Sequence, residues 1–253
     1  MGTFRLLQVS DTHIVADGSG RATSLASAVR EISGRTTADA LVTVLARVAG
    51  TGFDPDLLVH TGDIVDHADT ESYGVAARLL APVGAPVLAV AGNHDEPHLL
   101  AASFGEDRVF ERDRWQVVLV DTRLGGEDHG AVGGAGLAWL DEHLSSTDAH
   151  VVVGLHHPPL STCGEPACRL TDSHQLLAIL DRHPNVRGVL SGHLHWPDEI
   201  ERQGVRYLLA PSTCLQLRHV HPLAVHNRAP TPIGARILEL GDDGRIRTEV
   251  VWA

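Results

Sequence analysis

Short apolar runs alternate with amphipathic stretches along most of the chain, and this alternation predicts an α/β fold. The apolar runs predict strands at residues 5–9, 57–60, 87–90, 117–120, 151–155, 188–190, 207–209 and 235–240. Apolar residues at helical spacing predict helices at residues 39–48, 70–80, 136–143 and 173–181. Thr36 or Thr37 is positioned to cap the first of these helices.

The length of 253 residues suits one domain, or one domain with a small appendage, and the chain shows no internal repeat and no linker rich in Pro, Gly and Ser. We therefore expect one domain over residues 1–253. Residues 18–34 are small, polar and bounded by glycine, which predicts a long loop or a short lid. Residues 218–232 are rich in His and Pro, and a role in shaping a pocket wall stays open.

Side chains that can bind metals follow most of the predicted strands. In chain order they are Asp11, His13, Asp63, Asn93, His156, His193 and His195. Loops beyond the carboxyl ends of strands are where α/β proteins collect ligands, so we expect these side chains to meet at one rim. Their mixture of imidazole and oxygen ligands suits zinc, iron or manganese better than magnesium or calcium.

The formal net charge of −12 disfavours binding to a nucleic acid polymer, which needs Lys and Arg to neutralise phosphates. Small phosphorylated substrates stay compatible with this charge, because bound metal ions supply positive charge locally. The sequence shows neither a signal peptide nor an apolar stretch of about 18–20 residues. We expect a soluble cytoplasmic protein that does not bind membranes.

The three cysteines are too few and too widely spaced for a zinc knuckle or a secreted disulfide framework. Cys163 and Cys168 share a loop and could pair under oxidation, but we expect reduced thiols. We expect Cys214 to serve packing rather than catalysis.

The polar blocks resemble those of the calcineurin-like metallophosphoesterase superfamily, both in their order along the chain and in their residues. Its blocks are Asp-x-His, Gly-Asp-x-x-Asp, Gly-Asn-His-Asp, a lone His and Gly-His-x-His, and all of them occur between Asp11 and His195. Within the superfamily the chain looks closest to the bacterial class III cyclic nucleotide phosphodiesterases. The supporting stretches are Leu-His-His-Pro-Pro at 155–159, Asp-His-Gly at 128–130 ahead of Leu-Ala-Trp-Leu at 137–140, and Pro-Ser-Thr-Cys at 211–214.

This resemblance implies a four-layer αββα sandwich, in which two mixed β-sheets pack face to face between helices. It also implies two transition metal ions, divalent or mixed-valence, of iron, manganese or zinc. One ion would be held by Asp11, His13, Asp63 and His195, and the other by Asp63, Asn93, His156 and His193. Asp63 would then bridge both ions, and a hydroxide between them would attack phosphorus.

The resemblance implies further roles beside the metals. His94 would donate a proton or hydrogen bond to the phosphate or the leaving oxygen, and Asp95 would orient its ring. Asp66 would support the site from behind the ligands, and His129 matches a family histidine near the substrate. We expect two other histidines, His60 and His157, to be structural.

The implied activity is a metal-dependent phosphodiesterase acting on 3′,5′-cAMP or a comparably small diester. A phosphomonoesterase or a glycerophosphodiesterase would share the same site. A metal-free interaction scaffold on this fold typically loses ligands, and this chain keeps all of them. The acidic charge and the absence of a DNA-capping domain disfavour a nuclease. The expected partner is a small phosphorylated molecule, and a homodimer, which is common among relatives, stays open.

Overall fold

Two mixed β-sheets form the centre of the structure, a computed structural model that describes residues 2–16, 24–161, 163, 165–217 and 232–253. In chain order the strands are Phe4–Val9 (β1), Leu57–His60 (β2), Val87–Ala89 (β3), Val109–Arg112 (β4), Trp115–Leu119 (β5), His150–Gly154 (β6), Val186–Ser191 (β7), Asp198–Arg202 (β8), Val205–Leu209 (β9), Gly234–Leu240 (β10) and Ile246–Trp252 (β11). One sheet has the order β11-β10-β1-β2-β3, and the other has the order β4-β5-β6-β7-β9-β8. Both sheets combine parallel and antiparallel neighbours.

Helices cover the outer faces of the two sheets. They are Leu25–Ser33 (α1), Thr37–Ala49 (α2), Thr70–Leu80 (α3), Pro97–Phe104 (α4), Gly133–Ser145 (α5) and Ser173–Arg182 (α6). The first four pack against the five-stranded sheet, and α5 and α6 pack against the six-stranded sheet. A third apolar cluster joins side chains of both sheets, among them Leu6, Val59, Val117, Val152 and Leu190. The predicted four-layer αββα sandwich is therefore confirmed.

The predicted helix after Thr36 shows how local sequence sets one of these elements. The Thr36 side chain accepts a hydrogen bond from the Asp39 amide, and the Asp39 carboxylate accepts one from the Thr36 amide. This reciprocal capping satisfies backbone donors that an isolated helix end leaves open. Leu41 and Val44 on the inward face are fully buried, which fixes the helix on the sheet.

The expectation of a loop over residues 18–34 is wrong for its second half, since α1 occupies Leu25–Ser33. The Ser24 side chain caps this helix by accepting from the Ser27 amide, and Gly34 ends it in a left-handed conformation with φ of 71°. The polar composition concealed a helix with a narrow buried face, formed by Ala26 and Val29. Residues 17–23 and 218–231 lie outside the described residues.

The expectation of reduced thiols is wrong for Cys163 and Cys168, which form a disulfide with their Cα atoms 6.2 Å apart. Cys168 is the last residue of a short 3-10 turn, Pro166–Cys168. Cys214 is free and buried, in keeping with a packing role. Within the described ranges, no helix combines the length and the apolarity needed to cross a membrane.

Candidate metal centre

The carboxyl ends of parallel strands from both sheets bring the predicted ligands to one rim. β1 and β2 pair in parallel, so the residues that follow Val9 and His60 emerge side by side. The amide of Asp11 donates to the carbonyl of Gly62, and the amide of His13 donates to that of Asp63. The loop after β7 joins this group, because the His193 amide donates to the Asp11 carboxylate at 3.0 Å.

Five of the predicted ligands have a left-handed backbone conformation. Their φ angles are 53° for Asp11, 45° for His13, 54° for Asp63, 69° for His193 and 50° for His195. This conformation is uncommon for residues other than glycine, although Asp and His adopt it more readily than most. Such outliers persist only where surrounding contacts hold them, and they concentrate at functional sites. The left-handed backbone of these five residues therefore lowers the free energy of unfolding, and the contacts around the rim must offset that loss.

The first cluster contains Asp11, His13, Asp63 and His195, with ligand atoms that all lie within 4.8 Å of one another. His13 Nε2 lies 3.2 Å from His195 Nε2 and 3.6 Å from Asp63 Oδ2. His195 Nε2 lies 3.3 Å from Asp11 Oδ1. All four side chains are buried, so water cannot solvate their charges freely.

The second cluster contains Asn93, His156 and His193, and it shares Asp63 with the first. His156 Nε2 lies 3.4 Å from Asp63 Oδ2 and 3.1 Å from Asn93 Oδ1. His193 Nδ1 lies 3.1 Å from the same Asn93 oxygen. Asp63 is thus in contact with both clusters, as a bridging carboxylate must be.

The side chains of the two clusters fit metal ions because the atoms that converge there have lone pairs that a cation can share. Backbone carbonyls accept from the far ring nitrogens: Thr61 from His156 Nδ1 at 2.7 Å, and Leu215 from His195 Nδ1 at 2.9 Å. Each of these far nitrogens must carry the hydrogen, because a carbonyl cannot donate. Nε2 of each ring is then the nitrogen that faces the buried carboxylates, and it can bind either a proton or a metal ion there. Such an arrangement calls for cations, and mixed nitrogen and oxygen ligands suit transition metals.

The electrostatics of the two clusters reflect the same demand for positive charge. Burial raises the pKa of the Asp63 carboxyl, but the charge of His156 and its hydrogen bond hold that pKa well below its usual range. Burial lowers the pKa of His156, yet the neighbouring charge of Asp63 more than offsets it and raises the pKa to about 9. The Asp63 carboxylate therefore stays ionised, and the buried site favours positive charge beside it.

Two glycines leave the space that these ligands occupy. A Cβ on Gly92 would lie 2.1 Å from Asp63 Oδ1, closer than any real contact. Gly62 has φ of 95°, and a Cβ there would lie 2.4 Å from His156 Nδ1. The glycines of the sequence blocks are therefore required by close approach to the ligands.

Asp95 does not take the contact predicted for it. Its carboxylate accepts from the amides of Ile64, Val65 and Gly92 and from the Tyr73 hydroxyl, the last at 2.9 Å. Asp95 therefore fixes the backbone that carries Asp63, rather than the ring of His94. Burial and the nearby charge of Asp63 raise the pKa of the Asp95 carboxyl to about 6, although these hydrogen bonds oppose the rise.

His94 is oriented by Asp66 instead. Its Nδ1 lies 2.9 Å from the Asp66 backbone carbonyl, and its ring meets that of His13 edge to face at 4.7 Å. The Asp66 carboxylate lies 3.4 Å from His13 Nδ1. Asp66 thus supports two residues of the rim at once, one through its carbonyl and one through its side chain.

The remaining predicted residues lie around the second cluster. His157 has both ring nitrogens in hydrogen bonds, with the Thr122 hydroxyl at 2.8 Å and the Asp128 carbonyl at 3.1 Å. Burial lowers its pKa to about 2, so the ring is neutral. His129 lies in the loop that His157 holds, with about a third of its side chain exposed and its Nδ1 3.6 Å from Glu127.

Several groups that hold the rim were not predicted from the sequence. They are the Tyr73 hydroxyl and the backbone carbonyls of Thr61, Ala167 and Leu215. A buried tyrosine on α3 has no pattern that separates it from a core residue. A carbonyl acceptor is common to every residue, so its use at a site depends on the fold alone.

A model of the calcineurin-like phosphoesterase family matches residues 4–197, a range that includes every predicted block. The chain belongs to the calcineurin-like phosphoesterase family. This calcineurin-like phosphoesterase is 31% identical over 260 residues to the 3′,5′-cyclic adenosine monophosphate phosphodiesterase CpdA of Escherichia coli K12, covering 97% of this chain and 88% of that protein. It is 29% identical to the 3′,5′-cyclic-nucleotide phosphodiesterase alr5338 of Nostoc, covering 97% and 91%.

Solved structures show the same fold at lower identity. A dimetal phosphatase from Danio rerio superposes with a TM-score of 0.67 at 16% identity, covering 98% of both chains. A purple acid phosphatase from yellow lupin superposes with a TM-score of 0.63 at 15% identity, covering 98% of this chain and 51% of that one. The predicted family and enzyme class are confirmed: this calcineurin-like phosphoesterase is a metal-dependent phosphoester hydrolase.

Proposed function

We propose that this phosphoesterase is a phosphodiesterase that hydrolyses a small diester of the 3′,5′-cyclic nucleotide class, to which cAMP belongs. The convergence of two ligand clusters on the shared carboxylate of Asp63 carries the proposal. Two relatives named as cyclic nucleotide phosphodiesterases support this substrate class, because each aligns with nearly the whole of this chain.

The proposed ligands follow the two clusters. Asp11, His13, Asp63 and His195 hold one ion, and Asp63, Asn93, His156 and His193 hold the other. When bound, iron, manganese or zinc ions supply Lewis-acid stabilisation of phosphate oxygens and lower the pKa of water. Asp63 lies in contact with both His13 and His156, so it sets the spacing of the two halves.

His94 is the proposed general acid. Its Nδ1 is held by the Asp66 carbonyl, which leaves Nε2 as the nitrogen available to a phosphate. Burial lowers the pKa of His94, but the charge of Asp63 and the hydrogen bond to Asp66 raise it above its usual value. A protonated ring donates from Nε2 to the leaving oxygen as the bond to phosphorus breaks. His129 is proposed to contact the part of the substrate farther from the reacting phosphate.

The charges near the rim support a diester over a more highly charged substrate. Arg123, in the loop before His129, pairs with Glu96 at 3.0 Å, so its charge is largely compensated. A diester carries a single negative charge, which the proposed ions and His94 can balance without an arginine clamp. Polyphosphates and nucleic acids usually require more cationic contacts.

A substrate panel tests the proposal. Enzyme reconstituted with manganese is expected to turn over 3′,5′-cAMP or another small diester with a kcat/KM at least about tenfold above that of a sugar phosphate, a barrier difference of about 1.4 kcal/mol. The panel includes 2′,3′-cyclic nucleotides and glycerophosphodiesters. A monoester with a higher kcat/KM than every diester would replace the proposal with a phosphomonoesterase on the same site.

A further inference from the structure

One ring of the rim is held by a loop that a disulfide closes. His193 Nε2 donates to the Ala167 carbonyl at 2.9 Å. Ala167 belongs to the short turn Pro166–Cys168, whose last residue is bonded to Cys163. By contrast, His156 is held by the carbonyl of Thr61, directly after β2.

The same disulfide also packs against the loop that carries His193. Cys168 is 5% exposed and forms an apolar cluster with Leu194 and Leu209, and Cys163 packs on this cluster. Leu194 lies between the two histidines of the Gly-His-x-His block. The Cys163–Cys168 loop therefore contacts this block twice, once by apolar packing and once by a hydrogen bond.

His193 differs from the neighbouring histidines in the way its ring is oriented. Its backbone has φ of 69°, and its amide is held by Asp11. Its ring faces Asn93 with Nδ1, whereas His156 and His195 turn Nε2 toward the clusters. The hydrogen bond from Nε2 to Ala167 fixes both the rotation of the ring and the nitrogen that carries the hydrogen.

We infer that the Cys163–Cys168 disulfide is a positioning element for His193, and that its redox state sets the affinity of the second ion. The inference rests on the proposed assignment of His193 as a ligand. With the disulfide intact, the turn presents the Ala167 carbonyl to Nε2 and keeps the Nδ1 lone pair in the second cluster. Once the disulfide is broken, the turn loses its closure and His193 loses the fixed acceptor.

Reduction of the Cys163–Cys168 disulfide to two thiols requires two electrons and two protons. A trialkylphosphine attacks one sulfur and breaks the S–S bond, and water then supplies the oxygen of the phosphine oxide and the hydrogens of the two thiols. In a cell a dithiol would supply the same two electrons and two protons and would itself become a disulfide.

Manganese binding to the full chain tests the inference. Metal-free protein is divided into oxidised, phosphine-reduced and reoxidised samples, is freed of reagent, and is titrated with Mn²⁺ while free Mn²⁺ is followed by electron paramagnetic resonance. The oxidised protein is expected to bind two ions. In the reduced protein the Kd of one ion is expected to rise about 10–100-fold, the usual effect of removing a ligand's supporting contact, while the other stays within about twofold. Reoxidation should restore both.

The Cys163→Ser/Cys168→Ser double variant serves as the matched control. It should bind Mn²⁺ like the reduced wild-type protein and should not respond to phosphine. If this variant does not fold, the comparison of oxidised and reduced wild-type protein decides alone. In the zinc-loaded protein, histidine NMR should place the His193 hydrogen on Nε2 only while the disulfide is intact.

Equal affinities in the two redox states would overturn the inference and leave the proposed function standing. Equal weakening of both ions would also overturn it, because the loop would then support the whole rim rather than His193. Failure of every sample to bind manganese would contradict the ligand assignment itself, and with it the proposed function.

Discussion

Asp63→Ala is expected to abolish nearly all turnover and to reduce the bound metal to less than one ion per chain. Asp63 Oδ2 contacts His13 and His156, which belong to different clusters. Its removal therefore takes an anionic ligand from both proposed ions at once. Because a catalytic metal ion contributes several kcal/mol of transition-state stabilisation, kcat/KM should fall roughly 10³-fold or more. Elemental analysis and steady-state kinetics measure the two effects.

Asn93→Ala is the matched control for Asp63. Asn93 Oδ1 contacts His156 and His193, so its loss should weaken the second ion and spare the first. Circular dichroism of both variants checks that the fold is intact. An Asp63→Ala protein with full metal content and full turnover would show that the bridging assignment is wrong.

His94→Ala is expected to keep both ions and to lower kcat by roughly 10²–10⁴, the usual worth of a positioned acid or base. The reason is geometric, since His94 Nδ1 is occupied by the Asp66 carbonyl and its ring lies beside the clusters. Metal content by elemental analysis and kcat with the best diester of the panel provide the measurement.

His98→Ala provides a control for the loss of an imidazole, because His98 is exposed and lies at the start of α4. Its metal content and kcat should stay close to those of the wild-type protein. If His94→Ala instead lost an ion together with its activity, His94 would be a ligand, and another group would have to be the acid.

The rim could be predicted from sequence because its chemistry depends on side-chain type. Asp11, Asn93 and His156 each follow a predicted strand, and parallel strands bring their carboxyl ends together. The order of the blocks then indicated the family, and with it the αββα layers. The capping role of Thr36 could also be predicted, because a capping box depends on two residues three positions apart in the sequence.

The support behind the rim could not be predicted, because it depends on backbone atoms and tertiary contacts. Asp95 illustrates this, since its sequence neighbour is His94 but its hydrogen bonds go to amides near Asp63 and Gly92. The left-handed backbone of His193 and its contact with Ala167 also have no sequence signal. Short edge strands such as β4 and β8 were missed because their side chains are only partly buried, which weakens the apolar pattern.

A manganese titration tests most directly whether two metal ions act together at the rim. Metal-free protein is loaded with increasing Mn²⁺, and bound ions per chain are measured by elemental analysis beside diester turnover. Turnover is expected to follow occupancy of the second ion and to saturate at two ions per chain. Full turnover with one ion or none, or no bound manganese at saturating concentration, would contradict it.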